Sequence, residues 1–159
     1  ILQDKDGGKV EIETEDGAWV EMVRNFYYLS DIIDVNGGVE TAITRRIQKA
    51  WCKFRELRPI LTRKGLAPKI KGRVYSACVR STMVYGSETW PMKEEQEQKL
   101  ERVEMQMVRW MCGVKLADGI KSEELRKKLG IEAVRGVIKK GRLRWWGHVE
   151  RREDTHWLK

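Results

Sequence analysis

The chain has 159 residues, 35% of them charged, with a formal net charge of +8. That length suits one domain, or a small domain with an appendage, and can bury a core without staples; the charge favours a polyanionic partner. Cys52, Cys78 and Cys112 stand far apart with neither histidine near them, which leaves a zinc finger unsupported and fits a reducing compartment, and no run approaches the ~18 apolar residues of a transmembrane helix.

Charge is segregated along the sequence. Residues 1–44 hold ten acids and three bases; residues 45–80 hold twelve bases and one acid. An acid-rich stretch follows at 87–104, and residues 135–152 hold seven bases and one acid. Localised charge matters more than the average, because screening limits its reach to roughly 8–10 Å at physiological salt.

The N-terminal segment lacks helical periodicity. Val10 and Ile12 alternate with Glu11 and Glu13, and Asp16-Gly17 is a hairpin signal. Trp19 to Val23 alternates weakly, and Phe26-Tyr27-Tyr28-Leu29 is β-prone. Two or three short antiparallel strands are expected here. The chain opens on Ile1 with no recognisable signal peptide and is expected to be a piece of a longer protein.

The stretch Val39–Leu61 is the strongest signal. Val39, Ile43, Ile47, Ala50, Phe54, Leu57 and Leu61 recur at steps of three and four, one face of an α-helix. Arg45, Arg46, Lys49, Lys53 and Arg58 fall to the other face with one acid, Glu56. Exposed helices usually mix both signs in i,i+4 pairs, so this strip reads as a contact surface for a nucleic-acid backbone. Arg58-Pro59 is expected to end or kink the helix.

A second helix opens at Leu66-Ala67-Pro68, with Ile70, Val74, Ala77, Cys78 and Val84 expected inside and Lys69, Lys71, Arg73 and Arg80 outside. A third spans about Lys93 to Cys112, with Leu100, Val103, Met107, Trp110 and Met111 as its stripe and Gly113 as its stop. A short helix starts at Ser122 and ends at Gly130. A last one covers about Ala133 to Val149, with Val134, Val137, Ile138, Trp145 and Val149 on one face and Trp146 on the surface. The expected fold is therefore mostly α: a short N-terminal β-hairpin element followed by a bundle of about five helices.

Catalytic groups do not stand out. The closely spaced acids Asp4, Asp6, Glu11, Glu13 and Glu15 read as solvated, since a two-metal site needs carboxylates converging from separate elements. His148 has no nucleophile in an elbow context, and no phosphate-binding glycine motif occurs. No catalytic or metal-binding residue is assigned. Bases interleaved with aromatics in the two basic blocks suit phosphate neutralisation and base stacking.

Seven strings carry a resemblance together. They are Asn25-Phe26-Tyr27-Tyr28-Leu29-Ser30, Asn36-Gly37-Gly38-Val39-Glu40, Arg46-Ile47-Gln48-Lys49-Ala50-Trp51, Leu66 to Tyr75, Val84-Tyr85-Gly86-Ser87-Glu88-Thr89-Trp90, Glu104 to Gly113, and Gly141 to Val149. Their order and spacing resemble the C-terminal part of reverse transcriptases encoded by non-LTR (LINE-type) retrotransposons, which carry FKYLG, then YGxETW and RWMxG, then LRWxGHVxR.

That resemblance implies a division into 1–37, a β-rich palm-edge and primer-grip segment; 38–113, a thumb-like helical bundle; and 114–159, a C-terminal helical extension with a basic tail. Phe26, Tyr28 and Leu29 would form the primer grip, with Tyr27 standing for the family's Lys and Ser30 for its Gly. Arg45, Arg46, Lys49, Lys53, Lys69, Lys71, Arg73, Arg142, Arg144 and His148 would contact nucleic acid, an RNA–DNA hybrid or duplex. The family's YxDD-type aspartates lie upstream of the primer grip and are absent from this sequence. No cofactor is therefore expected in this chain; Mg2+ would bind only with the upstream palm, and the chain alone would not polymerise. Its other partner would be that upstream palm and fingers, with no membrane involved, in the nucleus or cytoplasm. The alternatives are a host-adopted DNA- or RNA-binding helical module and a non-functional degenerate copy.

Overall fold

The apolar stripe beginning at Val39 folds as α1, Glu40–Leu61. Ile43, Ala50, Phe54 and Leu61 of that stripe are fully buried. Pro59 stays inside the helix, in the last turn, where the ladder it interrupts is about to end. This computed structural model describes residues 2–5, 9–21, 25–28, 31–34 and 39–152.

Upstream of α1 the described residues form five short strands, against the two or three expected from the sequence. Leu2–Lys5 (β1), Lys9–Glu13 (β2) and Trp19–Glu21 (β3) make an antiparallel sheet with Leu2 opposite Ile12 and Ile12 opposite Val20. The Asp16-Gly17 signal closes β2 onto β3: Gly17 takes φ +79, and Thr14 N–H donates to the Ala18 carbonyl at 2.8 Å. Asn25–Tyr28 (β4) pairs with Asp31–Asp34 (β5), Phe26 opposite Ile33 and Tyr28 opposite Asp31, and β5 lies against α1.

The helices follow as α2 (Pro68–Val74), a π-helical segment (Tyr75–Arg80) and α3 (Ser81–Met83), one continuous rod. Then come α4 (Glu94–Cys112), α5 (Ser122–Leu129) and α6 (Val134–Glu150). Gly113 and Gly130, at φ +68 and +65, terminate α4 and α5 as their sequence positions require. Among the described residues the fold is thus mostly α, a small β element followed by five helical bodies. Arg46 of α1 stacks over the Tyr85 ring, while Lys53 neighbours Cys78. Advancing along α1 means retreating along the α2–α3 rod, so the two run antiparallel.

The rod buries a different face from the one the apolar spacing predicts. Lys71, Gly72, Tyr75, Val79, Arg80 and Met83 point inward, whereas Ile70, Ala77 and Cys78 are exposed. The shift is about one residue, or roughly 100° around the helix. Its cause is Gly72. A Cβ there would lie 2.0 Å from the Leu129 carbonyl oxygen and 3.0 Å from Ile131 Cγ2, so α2 approaches the end of α5 as only glycine allows. The two cations carried inward find acceptors. Lys71 Nζ donates to the Met111 carbonyl at 3.4 Å, and Arg80 pairs with Glu104 of α4 at 2.9 Å.

Glu104 joins four elements. Its side chain is fully buried between Arg80 and, at 3.5 Å, Arg126 of α5. It also accepts the Val134 N–H at 3.1 Å, capping the first turn of α6. Arg80 donates further to the Glu132 carbonyl at 2.8 Å and lies over the Tyr75 ring. Burial pushes the Glu104 carboxyl above its ordinary range, against the opposing pull of the two guanidiniums and the Val134 N–H. Burial likewise raises the Tyr75 hydroxyl.

Candidate nucleic-acid interface

The basic strip of α1 divides in the folded chain. Arg46 is 5% exposed, sandwiched against Tyr85 with its centre 4.5 Å from the ring centroid. It stands three residues after Ile43 and four before Ala50, so the helical period carries it to the edge of the buried stripe rather than the outer face. Arg45 and Lys49 are half-exposed. Lys53 binds Glu56 at 2.8 Å, a hydrogen bond that holds its ammonium above the usual lysine range.

A second cluster forms where α2 meets α5. Lys69 and Arg73, one turn apart, share the exposed face of α2. The Lys69 stem passes within 3.7 Å of the Cβ position at Gly130. This places it at the basic last turn of α5, which holds exposed Lys127 and Lys128. The close contact at Gly72 therefore joins two basic helix segments that lie more than fifty residues apart. Lys71 is buried beneath them, held by the Met111 carbonyl, and leaves the outer surface. Among the described residues, Lys69, Arg73, Lys127 and Lys128 have no acidic partner. Lys127 and Lys128 were not legible as site residues, because only the tertiary contact sets them beside α2. The Cys112 thiol beneath is pushed up by burial, which the nearby Lys128 and Lys71 oppose.

The residues named on α6 separate as well. Arg142 reaches inward and donates to the carbonyls of Ser87 at 3.4 Å and Trp90 at 2.8 Å, tying α6 to the loop before α4. Arg144 and His148 are exposed on the helix, and Arg152 lies 3.1 Å from the His148 ring. Trp146 is on the surface at 58% exposure, but Trp145 and Trp110, expected inside, are 38% and 47% exposed. Trp110 is held at the α1–α4 seam by Trp51 and Phe54, with ring centroids 6.1 and 5.7 Å away. Of the primer-grip residues, Phe26 is exposed on β4 and Tyr28 ends that strand; Leu29, with Ser30 after it, lies outside the described residues.

Several acids of the helical region are paired away from the α2–α5 corner. Glu94, Glu97 and Glu101 of α4 surround Arg135, Glu132 pairs with Lys140, and Glu40 pairs with Lys99. The Arg135 hydrogen bond holds the Glu94 carboxyl below its ordinary range. Among the described residues no three His, Cys, Asp or Glu side chains converge as a metal site. No described helix is long and apolar enough to cross a membrane. The exposed cations at the α2–α5 corner and the exposed indoles Trp110, Trp145 and Trp146 are groups suited to holding anions and planar rings.

No protein-family model matches this chain, and no solved structure does. Over 139 residues it is 25% identical to an uncharacterized transposon-derived protein of Caenorhabditis elegans, an alignment that covers 85% of this chain and 50% of that protein. The chain spans about half the length of the curated relative it matches. The similarity points to a transposable-element origin.

Proposed function

We propose that this chain is a nucleic-acid-binding portion of a transposon-encoded protein, gripping the backbone of a duplex as the thumb of a non-LTR reverse transcriptase does. The observation that carries the reading is the junction of α2 and α5, where Lys69, Arg73, Lys127 and Lys128 stand exposed and, among the described residues, without acidic partners. Unpaired lysines and arginines on a rigid surface neutralise phosphates and release counterions, without reading sequence. Arg45, Lys49 and Lys53 on α1 add a second line of contact in this reading. The β4–β5 hairpin, with Phe26 and Tyr28, would set the primer end.

The seven ordered strings and the transposon-derived relative support this reading over a host-adopted module. Catalysis would belong to an upstream palm with its Mg2+-binding aspartates, and this chain would carry none. The test is fluorescence anisotropy of a labelled RNA–DNA hybrid with the wild type and with the variant K69E/R73E/K127E/K128E. The reading expects a loss of affinity of at least tenfold in a variant that melts with the wild type. Equal affinities would overturn it.

A further inference from the structure

A recess lies between α6 and the turn before α4. Glu88, Gly141, Arg144, Trp145, His148 and Arg151 line it around a volume of about 360 Å³. Arg144, His148 and Arg151 recur at steps of four and three, so they form one stripe along α6. Among the described residues, Arg144 and Arg151 have no ion-pair partner, although Glu88 lines the same recess. The indole of Trp145 is 38% exposed here, far more open than a core tryptophan. Glu88 is held against the helix: its carboxylate lies 3.5 Å from the Cβ position at Gly141.

Each wall suits a different part of one ligand. Two guanidiniums suit a phosphate, which they can bind through paired N–H donors. An exposed indole suits a planar heterocycle, which stacks on it for about 1–3 kcal/mol. A carboxylate at the far wall accepts hydrogen bonds only, so it selects a ring edge that donates. The volume matches the lower end of small-ligand pockets. A duplex keeps its bases stacked and paired and cannot offer this combination, whereas an unpaired nucleotide can.

We propose that this recess holds a single unpaired nucleotide: its base on Trp145, a donating base edge at Glu88, and its phosphate between Arg144 and Arg151. This inference rests on the nucleic-acid reading and assigns the recess to single-stranded rather than duplex nucleic acid. Guanine, whose pairing edge offers the adjacent N1–H and N2–H donors to one carboxylate, should be preferred over thymine, whose single N3–H donor is flanked by two carbonyl acceptors.

The test compares a labelled dodecamer single strand with a labelled duplex, using the full chain and the variants R144E/R151E and E88Q. The inference expects R144E/R151E to lose about tenfold or more in single-strand affinity, a loss at least about fivefold greater than its loss in duplex affinity. E88Q should lose the preference for dG-containing over all-dT strands and keep its thermal stability. Competition by guanosine monophosphate that depends on the same arginines would identify a free nucleotide as the source. Competition by the strand alone would identify a nucleotide within a chain. Single-strand affinity unchanged in a folded R144E/R151E overturns this inference alone, while a wild type that binds neither strand nor duplex overturns it together with the reading beneath it.

Discussion

Replacing Gly72 by alanine tests the architecture at the point where it assembles the basic surface. In an open helix the change would stabilise, since alanine is favoured over glycine by about 1 kcal/mol. Here the added Cβ meets backbone, 2.0 Å from the Leu129 oxygen and 2.9 Å from its carbonyl carbon. Relief needs about 1 Å of separation between α2 and α5, and neither carbonyl atom can swing aside. Overpacking of this kind costs about 1–3 kcal/mol and occasionally more, and the separation also loosens Leu129 and Ile131, both buried at the contact. After subtracting the propensity gain, a net loss of about 1 kcal/mol is expected. For a chain of this size that lowers Tm by roughly 2–4 °C. Gly136 supplies the control, because a Cβ there meets only the movable end of the Glu132 side chain, at 2.4 Å. Circular dichroism melts of G72A and G136A should therefore diverge, G72A melting lower and G136A near or above wild type. A G72A protein that melts higher than wild type would refute the close approach.

Three further outcomes follow from the same packing. E104A removes the counter-charge of buried Arg80 and the cap of α6 and should cost about 3–5 kcal/mol, read by urea denaturation. E104Q, which keeps an acceptor and the volume, should cost less. Because burial raises the folded-state pKa of Glu104, its favourable contribution is complete below the unfolded pKa and is lost as pH rises through the folded one. The stability of wild type relative to E104Q should therefore improve on acidification through the carboxylate range; a gap that narrows the other way would contradict this environment. Trp51, half-buried with its ring edge-on to Phe54 at 5.6 Å, should lose about 1.5–3 kcal/mol on truncation to alanine without change in duplex affinity. Loss of affinity at unchanged stability would move it into the interface. K49E/K53E should weaken hybrid binding by less than the four-fold reversal on α2 and α5, because Lys53 is already partnered by Glu56; a larger effect would make α1 the main contact.

The helices were legible because their caps and periods agree. Gly113 and Gly130 stop helices where glycine alone accepts positive φ, and the stripe of α1 buries the residues its spacing marks. Faces were harder to read where a charge occupies a stripe position. Leu100, Glu104, Val108 and Met111 recur at four, four and three, so Glu104 sits in the buried row of α4 despite its charge. Arg46, Lys71 and Arg80 do the same on their helices, and each is inward because an aromatic ring, a carbonyl or a carboxylate elsewhere in the chain receives it. Periodicity of apolar residues alone does not see such pairs. A signal was available in Gly72, a glycine kept inside a helix at a cost, which marks a close backbone approach. The site was legible only in its residue types. The grouping of Lys69 and Arg73 with Lys127 and Lys128 depends on that approach and on no local pattern.

The central claim is that the α2–α5 corner neutralises several phosphates at once, and the salt dependence of hybrid binding measures it most directly. Each neutralised phosphate contributes about −0.9 to the slope of log K against log salt for a B-form duplex. The four cations of this corner predict a wild-type slope at least as steep as about −4, becoming shallower by about 3–4 in K69E/R73E/K127E/K128E, with the remainder set by the α1 cations. A slope shallower than about −1 in the wild type, or one that the four reversals leave unchanged, would contradict the account.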